Sequence, residues 1–156
     1  MNPFTTDQRR LRQAYATYMS GQVEPHVAVT ATLCQSRSYD GSSGLTWRKG
    51  DPILYEGIFR GLVNRLSRQV LGRQAVRHGK VLAAGGVIEG DGVNQLYHAH
   101  LFLRRPDHVV AEDFEQSIIE VFAQSPWLKP DLDIREIEGG WVWYTHKRNP
   151  ETFMYL

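Results

Sequence analysis

Apolar positions along this chain recur with two different periods, and the order in which the periods alternate predicts the fold. Thr5 or Thr6 can cap a first helix that carries Leu11, Tyr15 and Tyr18 on one side and runs to about Tyr18, with Gly21 ending it; it is expected at the edge of the domain. Val27, Val29, Ala31 and Leu33 alternate with smaller or polar residues, so 26–33 reads as a strand. The stretch 34–50 holds Gln, Ser, Gly, Arg and Asp with little periodicity and reads as a long loop, of the kind that is functional or mobile. Asp51-Pro52 is a cap followed by a first-turn proline. It opens a helix with Ile53, Leu54, Ile58, Leu62, Leu66 and Val70 on one stripe.

Two further apolar runs, 81–89 and 95–103, flank Gly90-Asp91-Gly92 and predict a hairpin. Pro106 stops its second strand, and Phe114, Ile118, Ile119, Val121 and Phe122 mark a helix from Ala111 to near Ser125-Pro126. Leu132, Ile134 and Ile137 support a last strand, broken by Gly139-Gly140. An aromatic segment containing Trp141, Trp143 and Tyr144 follows, most simply a helix, and the chain closes with a tail after Pro150. No repeat or low-complexity linker interrupts the chain, so 1–156 is read as one domain: an N-terminal helix (1–22), a core (26–138) and a final segment with its tail (140–156). Setting the first helix aside, the order strand, helix, strand, strand, helix, strand is the α+β ferredoxin-like or split βαβ arrangement. Its antiparallel sheet would have two helices on one face and the other face open.

Composition narrows the function classes. Apolar residues at 42% and charged residues at 22% of 156 fit one globular domain and exclude a disordered chain. The apolar runs are too short to cross a bilayer, and Arg9, Arg10 and Arg12 stand where a signal peptide would have its apolar core. A cytoplasmic protein without a membrane partner is expected. Cys34 is the single cysteine, which rules out an internal disulfide and a thiolate zinc cluster. The formal net charge of +1 gives no overall pull toward nucleic acid, but Arg60, Arg65, Arg68, Arg73, Arg77 and Lys80 bunch together. Such a run either tracks phosphates or is a solvated helix face.

Candidate chemistry centres on the second hairpin strand. His98 and His100 alternate with Ala99 and Leu101, so on a strand both imidazoles share one face. The helix-covered side suits Ala99, Leu101 and Leu103, which leaves the histidines on the open face. Glu89, just before the turn, can be brought near them by strand pairing. The three side chains would form a His-His-carboxylate site with open coordination positions, suited to a divalent ion that grips a phosphate or a water. The alternative is one buried, bonded histidine and one at the surface. Tyr144 and Lys147 are three apart and would share a helix face. A phenol can attack a phosphodiester when a metal polarises it and an ammonium stabilises the developing charge, although Tyr144 could equally be a packing residue and Lys147 an exposed charge.

Glu89, a glycine turn, His98-Ala99-His100 on the next strand, then a helix, a strand and Tyr144-x-x-Lys147 together resemble the HUH endonuclease superfamily, in particular its rolling-circle replication initiators. The resemblance spans about 26–148; Val29-Thr30-Ala31-Thr32 occupies the place of the family's first motif but lacks the aromatic residue common in its viral branch. It implies His98, His100 and Glu89 as metal ligands, Mg²⁺ or Mn²⁺ as the ion, Tyr144 as the single nucleophile and Lys147 as its assisting lysine. The implied reaction is nicking and joining of single-stranded DNA through a 5′-phosphotyrosine, at an origin or hairpin. Beside the resemblance, Arg104, Arg105, Arg148 and the Arg60 to Lys80 cluster are candidates to hold the DNA backbone, and a host helicase or supercoiling would supply unwinding. Plasmid or phage replication, conjugative transfer and transposition are not separated by these residues.

Two other classes remain open at this point. A non-catalytic domain of the same fold would stack bases on its histidines and bind nucleic acid in chelator. A metal-independent ferredoxin-like endoribonuclease would use a histidine as general acid or base, with His26, His78, His108 and His146 as further candidates.

Overall fold

A computed structural model describes residues 6–137 and 152–156. The elements run α1 (Thr6–Tyr18, widening into a π-helical turn, Met19–Val23), β1 (Val27–Leu33), β2 (Ser36–Gly41), β3 (Gly44–Lys49), α2 (Pro52–Leu71), α3 (Arg73–Arg77), β4 (Ala84–Glu89), β5 (His98–Leu103), α4 (Ala111–Phe122), β6 (Leu128–Glu136) and β7 (Thr152–Tyr155). The main sheet has the strand order β6-β1-β5-β4-β7 with every pairing antiparallel. Without β7 and the β2–β3 ribbon, the frame is βαββαβ with its fourth strand beside the first and its third beside the second. That is the ferredoxin-like α+β fold expected from the order of periods.

The helix-covered face is the main core. Val27, Val29, Ala31 and Leu33 of β1 and Ala99, Leu101 and Leu103 of β5 meet Tyr55, Phe59, Leu62 and Leu66 of α2 and Phe114, Ile118 and Phe122 of α4. Asp51 caps α2, its carboxylate accepting from the Leu54 amide at 2.8 Å, and Pro52 occupies the first turn as its fixed φ allows.

The opposite face is only partly open. Tyr15, Ala16, Met19 and Val23 are buried against Ala28, Val87 and Phe102, so α1 lies over the sheet and not at its edge. Leu11 and Tyr18, expected on the packed side, are exposed. The docked stripe is Arg12, Tyr15, Ala16 and Met19, which keeps helical spacing with a charged residue at its end. Gly85 makes the seat, because a Cβ there would run into the Met19 sulfur and the Tyr15 hydroxyl. The Tyr15 hydroxyl accepts from the Gly86 amide at 2.6 Å and reaches the Gly86 and Met154 carbonyls at 2.6 and 2.9 Å, tying α1 to β4 and β7. Burying Met19 and Val23 is worth about 1.5–3 kcal/mol each, enough to hold a helix whose own sequence is polar.

Two segments differ from expectation. The stretch 34–50 is a β-ribbon, β2 paired with β3 from Ser36↔Lys49 to Gly41↔Gly44. Its residues are almost all exposed, so no hydrophobic alternation betrays it, and the pairing is set by the turn, where Gly44 takes φ +109°. The tail supplies a fifth strand, β7, along β4.

Candidate metal centre

The turn between β4 and β5 is fixed by a single carboxylate. Asp91 Oδ1 accepts from the amides of Val93, Asn94 and Gln95 at 2.8, 2.7 and 3.0 Å, while its Oδ2 accepts from the Asn94 side chain at 2.9 Å. These bonds, led by that from Gln95, hold the Asp91 carboxyl well below the usual carboxylate range. Gly90, at φ +107°, leaves room for the Leu96 and Gln95 carbonyls, which a Cβ would meet at 2.6 and 2.8 Å.

With the turn set, strand register places the candidate ligands. Glu89 is directly opposite His98, and His100 is opposite Val87 on β4 and Thr30 on β1, so all three candidate side chains stand on the α1 face. Glu89 Oε2 lies 3.0 Å from His98 Nε2 and 3.7 Å from His100 Nε2. Each histidine has its other ring nitrogen occupied: His98 Nδ1 is 3.2 Å from the Leu96 carbonyl and His100 Nδ1 is 3.0 Å from Thr30 Oγ1. Such outer contacts fix ring orientation in metal sites and leave Nε2 pointing at the ion.

The three donor atoms lie within 4.8 Å of one another, and Glu89, His98 and His100 could therefore hold a metal ion. Adjacent ligands of an ion bound at ~2.1 Å stand about 3 Å apart, which the Glu89–His98 pair already matches. Glu89 is buried, whereas the two imidazoles keep about a fifth of their side-chain surface, so the triad is sheltered at its base and open toward solvent. Burial alone would raise the Glu89 carboxyl, but contact with His100 and His98 outweighs it and holds the group down to about 2. It is thus an anionic group at neutral pH.

Arg12 of α1 completes the surroundings. Burial lowers its guanidinium from the ordinary value, and the Glu89 carboxylate opposes that shift, so a cation stands within electrostatic reach of the triad. The sequence reading missed Arg12. Its signal is an arginine three and four residues before Tyr15 and Ala16, on the stripe that docks.

The expected site residues separate into three groups. Glu89, His98 and His100 converge as anticipated. Arg104 and Arg105 follow β5 at its other end, about 20 Å from His98 at roughly 3.3 Å per residue, where Arg104 pairs with Glu24 at 3.0 Å and Arg105 donates to the Val109 carbonyl at 2.7 Å. Tyr144, Lys147 and Arg148 lie outside the described residues, as does His146. Of the other histidines, His26 contacts the Arg105 carbonyl at 3.3 Å, and His78 and His108 are exposed.

The β2–β3 ribbon rises from the same end of the sheet as the triad. Gln35, at its root, donates to the Tyr97 carbonyl at 3.2 Å and accepts from the Tyr97 amide at 2.9 Å, one residue before His98. Arg37 and Tyr39 turn toward Trp127, and the opposite ribbon face presents Trp47, 70% exposed, with Lys49.

No family model matches the chain, and no curated protein or solved structure does either. Among the described residues no helix is long and apolar enough to cross a membrane.

Proposed function

We propose that the protein is a divalent-metal-dependent endonuclease with the HUH arrangement, which nicks and rejoins single-stranded DNA. The observation that carries the reading is the convergence of Glu89 Oε2, His98 Nε2 and His100 Nε2 on one face of a βαββαβ sheet, with Leu96 and Thr30 orienting the two rings. Oxygen and imidazole donors with open positions suit Mg²⁺ or Mn²⁺. Bound there, the ion supplies Lewis-acid polarisation of a phosphodiester.

The chain's own residues do the remainder. Tyr144 is the nucleophile: its phenol oxygen forms a bond to phosphorus, the bond to the 3′-oxygen breaks, the phenol proton is lost and the 3′-oxygen leaves as a hydroxyl. The product is a 5′-phosphotyrosine, and attack by a 3′-hydroxyl reverses the step. Lys147 and Arg12 stabilise negative charge, Arg12 from within electrostatic reach of Glu89. Trp47 offers a stacking surface and Lys49 a phosphate contact for a strand leading to the site. Arg104, Arg105 and Arg148 remain candidates for backbone contacts further along the strand.

The test is incubation with random and hairpin-bearing single-stranded oligonucleotides and Mn²⁺, followed by denaturing electrophoresis. A protein–DNA adduct in the wild type, missing in Tyr144→Phe and His98→Ala, is the expected result. Nucleic-acid binding that survives chelation without any adduct identifies a binding domain instead. RNA cleavage in chelator, undiminished by Tyr144→Phe, identifies an endoribonuclease.

A further inference from the structure

A second charged feature lies far from the triad. Arg65 and Arg68 near the end of α2, together with Arg73 and Arg77 of α3, line one cavity of about 540 Å³ with Gln69, Val76, Val121 and Gln124. The cavity is on the helix layer, on the other side of the sheet from Glu89, His98 and His100. It is also at the other end: α2 starts beside Cys34, near Tyr97 and His98, and its last turns are joined through Ser67 to Leu82, just ahead of the first residue of β4. One short ligand cannot touch both sites.

Among the described residues no carboxylate is within ion-pair distance of any of these four arginines. The nearby Glu120 is engaged by amides, accepting from Gln69 at 3.0 Å and from Gln116 at 3.0 Å. Four guanidiniums around one concavity repel each other, and the walls contributed by Val76 and Val121 reduce the screening that water would provide. An ordinary solvated helix face would spread such charges or intersperse acids. Guanidinium forks match phosphate oxygens in pairs, and four of them exceed what a single phosphate can use.

We infer that the Arg65–Arg68–Arg73–Arg77 cavity is a binding site for a ligand carrying several closely spaced phosphates. Two sources share that chemistry, a nucleic-acid backbone and a free nucleotide polyphosphate. The inference does not depend on the nuclease reading.

The experiment titrates the full chain with sodium triphosphate by calorimetry, then repeats it with Arg68→Gln/Arg73→Gln; both side chains are exposed, so the fold should persist. An unchanged thermal unfolding midpoint is the control for folding, with Mn²⁺ affinity at the triad as a second reading. The expected result is one triphosphate per chain, at least tenfold weaker binding in the double variant, unchanged Mn²⁺ affinity and affinity that drops steeply with salt. Displacement of triphosphate by a short blunt duplex assigns the site to a nucleic-acid backbone. Displacement by ATP and not by duplex assigns it to a free nucleotide. Absence of triphosphate binding, equal affinity in the double variant, or displacement by polyglutamate of the same charge as readily as by either phosphate ligand would overturn the inference. Loss of Mn²⁺ binding in the wild type would instead count against the metal centre and leave the cavity untouched.

Discussion

His98 Nε2 stands 3.0 Å from Glu89 Oε2 while His98 Nδ1 stands 3.2 Å from the Leu96 carbonyl, so both ring nitrogens face atoms that only accept. A neutral imidazole can donate to only one of them, and a divalent cation between Nε2 and the carboxylate would suit the other. The pair, with His100, could therefore hold such an ion without rearrangement.

Metal affinity should follow from that arrangement. His98→Ala and His100→Ala are expected to abolish stoichiometric Mn²⁺ binding in calorimetry or electron paramagnetic resonance. Thr30→Val, which removes only the contact to His100 Nδ1, should weaken binding about 10–100-fold. Wild-type affinity in Thr30→Val would show that the ring is oriented by other means.

Protons compete for the same atoms, so Mn²⁺ binding should weaken as pH falls from 7 to 5. Stability of the metal-free protein has its own acid dependence. Because Glu89 is held at about 2 when folded, below its ordinary 4.5, its contribution is complete above about pH 4.5 and is lost as pH falls toward 2. Denaturant midpoints measured across this range should drop less steeply for Glu89→Gln than for the wild type.

Arg12→Gln separates two roles of one cation. Removing positive charge near the triad should raise Mn²⁺ affinity a few-fold, whereas adduct formation on single-stranded DNA should fall about tenfold or more. A parallel loss of both would mean that Arg12 only holds α1 in place.

Tyr15→Phe keeps the ring and deletes the hydroxyl that accepts from the Gly86 amide in a buried setting. The cost should be about 1–3 kcal/mol in equilibrium unfolding. A change below 0.5 kcal/mol would show that this bond does not fasten α1 to the sheet.

Trp47 is exposed, so Trp47→Ala should leave stability within about 0.5 kcal/mol of the wild type. Single-strand affinity should fall by about 1–3 kcal/mol if a base stacks there. Fluorescence anisotropy with a labelled oligonucleotide reads the effect, and unchanged affinity would remove the ribbon from the proposed path.

The frame and the triad were legible because both depend on local rules. Alternation places Ala99, Leu101 and Leu103 on one face and His98 and His100 on the other, and the glycines around Asp91 announce the turn that returns Glu89 to His98. The ribbon was not legible, since Ser36, Ser38, Thr46 and Lys49 contact too little for burial to impose a pattern. Nor was β7, whose four residues gain strand geometry from the edge that β4 leaves to be paired.

By itself, then, the sequence determined which side chains share a face and which pairs of strands meet through a short turn, because these follow from backbone periods of two and 3.6. Only the tertiary structure decided that α1 lies over the histidine face, that Arg12 comes within electrostatic reach of Glu89 and that four arginines of α2 and α3 line one cavity. Those relations join segments distant along the chain. They are set by whichever surfaces bury the most apolar area together, which no local period encodes.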